Sequence, residues 1–476
     1  MKTSIYAFDR RDFIFTVMTA VSRKIFYACL PVYFVLLALS VVYYKEKAFF
    51  LDNAYVIFNM VKDGHMTIYH FRFIEIFTEG LPWLAMKLHA SLDVILLSYA
   101  LSFWVFQLAC YLLCGLWLRQ YALALIQVLV SVLFISDGFY TSISELPQAI
   151  SLLCLLYAYV LSGRGRGRPA FYVICGALLV TIAFAHLLIV FPLGFVTLFF
   201  YFRKDRPIPR NILWGIPAAY MLIVVLKAIF FQEKYEHHAL GGLKHFITLF
   251  PDYFSAYSFE RFFAYLGGRY IWIILLSAGI TVYYLVQREW RTVGLFMVAM
   301  TGYAMLTNVT YPGADTNDFY IENLYYPLAV FIAFPFVYDL VPVLAQRKQA
   351  LPVVLLVMLS GLARMWYLHT PYTARLVWQR EFIRANAGKK LMIDKTAVPM
   401  DTLQMNWASS YEFALLSSAE RRQTESIIIA DTVEHIQWAA GERKKLVTQW
   451  GNIGYSEMPE RFFRFTDTVS SYTVVR

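Results

Sequence analysis

The sequence has few charged residues. Asp, Glu, Lys and Arg make up only 16% of its 476 residues, whereas 59% are hydrophobic and 18% are aromatic. Soluble domains are typically ~25% charged and ~45–50% apolar, so the composition excludes a soluble globular protein. The formal net charge of +10 is typical of a membrane protein whose basic residues set its orientation and contact membrane lipids. No nucleic-acid partner is expected.

Cysteine and the common catalytic motifs are also scarce. The five cysteines all fall in apolar segments, so no disulfide framework is predicted. The sequence contains no Walker A motif, no GxGxxG after a strand, no HExxH, no GxSxG and no CxxC, and the enzyme classes that these motifs mark are not indicated. The sequence assigns no cofactor, and a divalent cation held by carboxylates is the one possibility left open.

Long apolar segments predict a polytopic α-helical membrane protein. About eleven segments are long enough to cross ~30 Å of hydrocarbon. They are 25–43, 93–118, 120–136, 147–162, 170–186, 187–203, 211–231, 270–286, 293–309, 325–343 and 351–367. The stretch 170–203 is broken around His186 and Pro192, which predicts either two short spans or a re-entrant hairpin, and nine spans in the second case.

Basic residues predict the orientation of these spans. They cluster before the first span, in "GRGRGRP", in "RKDRPIPR" and in two short connectors that contain Arg288 and Arg347. All five clusters lie on one side if the N-terminus is cytoplasmic. The chain is therefore expected to be a multi-pass protein, most simply of a bacterial inner membrane, with its long loops and its C-terminal end outside the cytoplasm.

Two domains are predicted. Residues 1–367 form the transmembrane domain, with outer-face loops at 44–92 and 232–269 and shorter ones at 137–146 and 310–324. Residues 368–476 have mixed charge and form a small extracytoplasmic α/β or α+β domain. Its predicted helices are "ARLVWQREFIRANAG" and "SSYEFALLSSAERR", and its predicted strands are "KKLMID", "ESIIIAD", "RFFRFTD" and "SYTVVR".

Asp52 is the first candidate catalytic residue. It follows the first span by eight or nine residues, and the segment after it, 54–92, mixes apolar and polar residues in a pattern typical of helices that lie in the membrane interface. One interpretation makes Asp52 the N-cap of such a helix. The other makes it a general base or a metal ligand beside a substrate carried on a lipid.

Further charged residues lie in the predicted outer loops. Arg72 can hold a phosphate through its planar guanidinium, or can simply pair with Glu75 three residues later. Asp137 and Glu145 can complete a cation or acceptor site, or are solvated loop acids or a helix start. His186 is either a further site candidate or a hydrogen-bonded structural residue.

The later outer loops contribute cations and acids. Loop 232–269 contains Lys244, Arg261 and Arg269, which can bind a phosphate; its histidines match no zinc-ligand spacing. Loop 311–327 places Asp315 and Asp318 among four tyrosines. Aromatic faces with acids suit sugar rings, although tyrosines are equally common at membrane interfaces.

These features together resemble the GT-C superfamily of integral membrane glycosyltransferases, such as the protein mannosyltransferase and aminoarabinose transferase families. "RFIEIFTEGLPWLAMKL" (72–88) is similar to the juxtamembrane stretch of bacterial members. The first-loop acid of that family maps onto Asp52 alone, because its neighbour is Asn53, and the second-loop acid maps onto Asp137 or Glu145 without a DxD motif. The sequence is thus a divergent match.

The resemblance implies transfer of a sugar from a polyprenyl-phosphate donor to a glycan, lipid or protein acceptor on the outer face. Asp52 would activate the acceptor hydroxyl, and Arg72, Arg269, Arg261 and Lys244 would neutralise the leaving phosphate. The alternatives are a transporter or flippase of a lipid-linked glycan, which would need polar residues along its spans, and a non-catalytic membrane scaffold.

Overall fold

The computed structural model describes residues 10–141, 145–205, 207–231, 241–313 and 318–476, and their side chains except at 10–21 and 318–319. The chain is 74% helical. Up to the last long apolar segment, its α-helices are α1 (Arg10–Val42), α2 (Tyr44–Ala48), α3 (Leu51–Asp63), α4 (Ile76–Lys87), α5 (Leu92–Leu112), α6 (Tyr121–Leu133), α7 (Glu145–Ser162), α8 (Pro169–Ala185), α9 (Val190–Phe202), α10 (Arg210–Phe230), α11 (His245–Thr248), α12 (Tyr257–Gly268), α13 (Ile271–Val286), α14 (Trp290–Thr310), α15 (Asp318–Leu324), α16 (Tyr326–Pro335), α17 (Val341–Gln346) and α18 (Ala350–Tyr367).

Seven helical segments of the described chain are long and apolar enough to cross a membrane, or eight if α12 and α13, which meet at a bend of 83°, form one broken span. The number of long apolar helices confirms the prediction of a multi-pass α-helical membrane protein. The predicted count of about eleven spans is not confirmed. Three predicted spans form shorter apolar helices, α6, α8 and Leu187–Phe202. The 13 residues of α6 extend roughly 20 Å at ~1.5 Å per residue, less than the ~30 Å of hydrocarbon.

The break predicted near His186 is present. Helix α8 ends at Ala185, His186 has an extended backbone (φ −158°, ψ 136°), and a 3₁₀ turn at Leu187–Ile189 leads into α9. The choice between two short spans and a re-entrant hairpin for this pair of helices stays a prediction.

The first outer loop contains three α-helices, α2, α3 and α4, and helices were expected from the mixed pattern of 54–92. The chain between α3 and α4 makes 3₁₀ turns at Tyr69–Phe71 and Phe73–Glu75. One face of α4 leaves Leu81, Leu84 and Leu88 exposed. An exposed apolar stripe on a short helix is consistent with the predicted interfacial position.

The C-terminal region contains the predicted mixture of helices and strands. Its helices are α19 (His369–Ala385), α20 (Met400–Leu403), α21 (Ser409–Arg421) and α22 (Val433–Ile436), and its strands are β1 (Leu391–Asp394), β2 (Ile427–Ala430), β3 (Lys445–Thr448), β4 (Gly451–Gly454) and β5 (Thr473–Val475). A parallel sheet has the order β2-β1-β5, and β3 pairs antiparallel with β4. The register sets Met392 beside Ile428 and Val474.

Three of the four predicted strands are present, and the strand predicted for "RFFRFTD" is wrong. That segment makes one isolated bridge, from Thr424 to Phe465. It buries Phe463 and packs Phe462 and Phe465 against the core instead. The β3–β4 hairpin was not predicted, because β4 begins and ends with glycine, a residue that is depleted in strands.

The C-terminal region packs directly on the first outer loop. Glu412 of α21 is fully buried (0% exposed) and accepts hydrogen bonds from the backbone N–H of Leu51 at 2.8 Å and from Arg375 at 2.7 and 2.9 Å. Arg375 also donates to the carbonyl of Phe49 at 3.0 Å. Leu51 has a positive φ of 42°, which is costly for a branched side chain, so these bonds hold a strained backbone.

The Glu412 contacts generate the first prediction. Replacing Glu412 by Gln leaves the buried Arg375 guanidinium without its partner, and breaking a buried ion pair costs about 3–5 kcal/mol. The purified full-length protein should therefore unfold at a clearly lower temperature. Glu434→Gln is the matched control, because the Glu434–Arg476 pair is long (3.7 Å) and exposed and such pairs contribute about 0–1 kcal/mol. Equal melting temperatures for the two variants would contradict the prediction.

Candidate functional site

Asp52 lies in the first turn of α3, and Phe50 is the N-cap residue. The predicted capping role of Asp52 is therefore wrong, because the helix begins one residue earlier, at Leu51. The Asp52 carboxylate accepts a hydrogen bond from the hydroxyl of Tyr320 at 2.8 Å. Burial raises the pKa of Asp52 to about 6, against the opposing effect of the Tyr320 bond. Asp52 thus exchanges its proton close to neutral pH.

Arg72 forms an ion pair with Glu145 at 2.6 Å, and both side chains are largely buried. Glu75 accepts the backbone N–H of Tyr69 at 2.9 Å, and the charge of Arg72 also acts on Glu75, so the alternative in which Arg72 pairs with Glu75 stays a prediction. Glu145 is the first residue of α7, so it is a helix start and not a solvated loop acid. The charges of Glu145 and Arg72 both act on Asp52, which brings three predicted residues into one cluster.

Two buried acids shape the chain that carries Arg72. Glu79 accepts the backbone N–H of Thr67 at 2.5 Å, and Glu75 accepts that of Tyr69. Burial raises the pKa of Glu79 to about 7 and also raises the pKa of Glu75. Since a buried backbone donor needs a partner, these carboxylates fix the turns between α3 and α4 and so set the position of Arg72.

An apolar cavity of about 430 Å³ lies beside this cluster. Arg72 and His186 line it together with mainly apolar side chains, among them Phe191, Met221 and Leu306. The Nδ1 atom of His186 accepts the backbone N–H of Leu188 at 3.1 Å, which fixes the imidazole at the break between α8 and α9. The cavity therefore combines an apolar interior with a polar, basic border. We call Asp52, Arg72, Glu145, His186 and Tyr320 the Asp52 cluster.

A second group of charges surrounds the end of α6. Glu322 accepts the backbone N–H groups of Ser136, Asp137 and Gly138 at 2.6, 3.0 and 3.0 Å, and the hydroxyl of Tyr270 at 2.7 Å. A buried carboxylate with this many donors is well satisfied. Glu322 therefore fixes the turn that carries Asp137.

Asp137 and Arg269 belong to this second group. They form an ion pair at 2.5 Å, and Tyr372 donates to the other oxygen of Asp137 at 3.1 Å. Asp137 is buried and so is not a solvated loop acid. The described contacts of Arg269 are with Asp137 and with the ring of Tyr265, whereas those of Arg72 are in the Asp52 cluster.

Arg364, which lies on α18, is the last member of the second group. Its guanidinium donates to the carbonyls of Val132, Leu133 and Ile135 at 2.5–3.3 Å, and to the carbonyl of Arg269 at 2.8 Å. The last carbonyls of a helix lack hydrogen-bond donors within the helix. Arg364 supplies such donors to the carbonyls at the end of α6. This arrangement is structural and needs no ligand.

The other predicted phosphate-binding residues lie outside the Asp52 cluster. Arg261, on α12, donates to the hydroxyl of Tyr265 at 3.1 Å and stacks on that ring. Lys244 is exposed on a 3₁₀ turn. Its neighbour Leu243 lines the apolar cavity, so the turn borders the cavity although Lys244 is not among its lining residues.

The acids predicted in the tyrosine-rich loop are only partly described. Asp315 lies outside the described residues, and Asp318 begins α15 with its side chain undescribed. Tyr320, from the same loop, does reach the Asp52 cluster. Among the described residues, no group of three or more His, Cys, Asp or Glu side chains has the arrangement of a metal site.

Comparison of the chain with models of known protein families, with curated protein sequences and with solved structures finds no match. The similarity to GT-C glycosyltransferases therefore stays a prediction. The site is interpreted from its own residues.

Sequence reasoning missed the residues that organise both groups. Tyr320 is one of the four tyrosines of loop 311–327, and Glu322 lies in the same loop, but neither was predicted to organise a site. Arg375 and Glu412 were not singled out at all. Tyr320 and Asp52 are 268 residues apart, and Glu412 and Leu51 are 361 residues apart. No local sequence pattern predicts such contacts.

The Glu322 contacts generate the second prediction. A Cβ atom at Gly138 would lie 3.0 Å from Oδ1 of Asn323 and 3.2 Å from Oε1 of Glu322, so Gly138→Ala should displace this carboxylate and destabilise the protein by about 1–3 kcal/mol. Gly294→Ala is the control, since Gly294 lies in α14 with open space around it and alanine favours a helix by up to ~1 kcal/mol. Thermal unfolding of both variants tests this, and a Gly138→Ala protein as stable as Gly294→Ala would contradict it.

Proposed function

We propose that the protein is a membrane glycosyltransferase that moves a sugar from a polyprenyl-phosphate donor to an acceptor hydroxyl on the outer face. The observation that carries the proposal is the Asp52 cluster at the border of an apolar cavity. It places a carboxylate with a pKa near neutrality beside a guanidinium and an imidazole. An amphipathic phosphate ester matches this combination.

The apolar cavity supports a lipid-borne substrate. A pocket of about 430 Å³ is large enough for several isoprene units of a chain, and its apolar wall gains free energy by removing that chain from water. The phosphate then lies at the Arg72 and His186 border, where charge-assisted hydrogen bonds are strongest.

The chemistry assigns one role to each group. Asp52 takes the proton from the acceptor hydroxyl while that oxygen bonds to the anomeric carbon of the sugar. The bond from the anomeric carbon to the phosphate oxygen breaks, and its electron pair stays on the phosphate. Arg72 stabilises the added charge. Glu145 and Tyr320 are positioning residues, because they hold Arg72 and Asp52.

Asp52→Asn is the third prediction. The side chain keeps its size and still accepts the hydrogen bond of Tyr320, so the protein should fold, but it can no longer take a proton. Transfer from a polyprenyl-phosphate sugar should fall by ~10²-fold or more. Asp63→Asn, at the far end of α3 and partly exposed beside Lys62, is the matched control and should keep full activity. Equal rates for the two variants at equal abundance would remove Asp52 from the proposal.

The pH dependence of the wild-type enzyme is the fourth prediction. Asp52 must be ionised to act as a base, and its pKa is about 6, so kcat/KM should be constant above that pH and fall about tenfold per pH unit below it. In Asp52→Asn the residual rate should lose this step. A step that persists unchanged in the variant would assign it to another group.

The proposal requires the Asp52 cluster and the C-terminal region to lie outside the cytoplasm. A cysteine at Val469, which is 74% exposed, should react with a membrane-impermeant maleimide in intact cells. A cysteine at Arg347, exposed in a predicted cytoplasmic connector, should react only after permeabilisation. The five native cysteines lie in helices, and the unsubstituted protein gives the background. The reverse labelling pattern would overturn the orientation.

A further inference from the structure

A basic pocket separate from the Asp52 cluster lies where the first outer loop meets the C-terminal region. Its volume is about 270 Å³, and it is lined by the start of α5 (Ser91 to Asp93), by the end of α21 and by the segment around Phe462. Three arginines face it, Arg422, Arg461 and Arg464, against the single carboxylate of Asp93. None of its lining residues lines the apolar cavity.

The charges of this pocket are not neutralised by the protein. Within the described part of the chain, none of the three arginines forms an ion pair with a carboxylate. Arg461 donates to the carbonyl of Ala90 at 2.8 Å, and to that of His89, and the Nε of Arg464 points at the carbonyl of Glu460 at 3.4 Å. Arg461 thus joins the pocket to the first outer loop, and Arg422 and Arg464 line the pocket from the C-terminal region.

The only acid in the lining is already engaged. Asp93 accepts the hydroxyl of Tyr44 at 3.3 Å. Since three arginines line the pocket against one aspartate, the lining has a net positive charge, and it suits a compact anion with several acceptor oxygens. Guanidinium groups bind phosphate through paired, parallel hydrogen bonds.

The position of the pocket selects the source of the phosphate. Its wall includes Leu92, the first residue of a candidate membrane span, Leu92–Trp117, and the ends of membrane-spanning helices lie at the depth of lipid headgroups. Directly before it in the chain, Leu81, Leu84 and Leu88 form the exposed stripe of α4, with Leu88 72% exposed. The carbonyls of His89 and Ala90, which follow the stripe in the chain, accept the hydrogen bonds of Arg461. Exposed apolar side chains of this kind are able to contact acyl chains.

We propose that this arginine pocket binds the phosphate of an anionic membrane lipid, whose acyl chains lie along the exposed face of α4. Bound lipid would join the first outer loop to the C-terminal region, because Arg461 and Arg464 come from the second and Ser91 from the first. This binding is independent of the glycosyltransferase proposal, since it uses neither Asp52 nor the apolar cavity.

The test measures lipid retained by the full-length protein. The protein is purified with phosphatidylglycerol and phosphatidylcholine in equal amounts, and each bound lipid is counted by native mass spectrometry. Wild-type protein should retain phosphatidylglycerol preferentially. The double variant Arg422→Gln, Arg464→Gln should bind it about tenfold more weakly or worse, because two charge-assisted contacts are lost.

Two control variants distinguish the effect of total charge from the effect of the pocket itself. Arg384→Gln with Arg443→Gln removes the same charge from exposed positions of the C-terminal region and should leave retention unchanged. Arg422→Lys with Arg464→Lys keeps the charge but loses the paired donors, and should give an intermediate affinity. Melting temperatures confirm that each variant is folded.

Three results would overturn the proposal: equal retention of the two lipids, an equal loss in the Arg384/Arg443 control, or no loss in the Arg422/Arg464 variant. Competition by soluble glycerol phosphate at millimolar concentration tests the source. If it displaces the lipid fully, the site takes the phosphate alone and the acyl-chain part of the proposal fails. If it displaces the lipid only weakly, the exposed face of α4 contributes as proposed.

Discussion

The buried carboxylate of Glu412 is the contact on which the packing of the C-terminal region against the start of α3 depends. It accepts the Leu51 N–H, two bonds from Arg375 and one from Gln379 at 2.8 Å, and a carboxylate taken this far out of water is stable only with such partners. Through Leu51 it fixes the residue immediately before Asp52. The position of the candidate base is therefore set by a helix that begins more than 350 residues later in the chain.

The same constraint recurs at the end of α6. Glu322 accepts three successive backbone N–H groups there, and Arg364 donates to the carbonyls on the other side of the same turn. Where water is excluded, every backbone group needs a protein partner. Charged side chains supply those partners, and Asp137 and Arg269 are held in place by this framework. Asp137, Arg269, Glu322 and Arg364 thus form a structural group of charges, which is distinct from the Asp52 cluster.

The sequence grouped several of the charged residues correctly, but it did not predict what they contact. Asp52, Arg72, Glu145 and His186 do lie near one another, as a shared outer loop region suggested. Arg72 nevertheless pairs with Glu145, which lies 73 residues later in the chain and which no local spacing indicates. Spacing along a helix identifies possible neighbours, and burial decides which of them form a pair.

Composition and hydropathy by themselves determined that the chain is a multi-pass helical membrane protein with a mixed α and β region at its C-terminal end, since the free energy of apolar burial adds up over local sequence. Only the tertiary structure decided which apolar segments are long enough to span and which are short buried helices such as α6. It alone also brought Tyr320 to Asp52 and Glu412 to Leu51. Such contacts join residues far apart in sequence, and their free energy depends on burial and geometry that the folded chain creates.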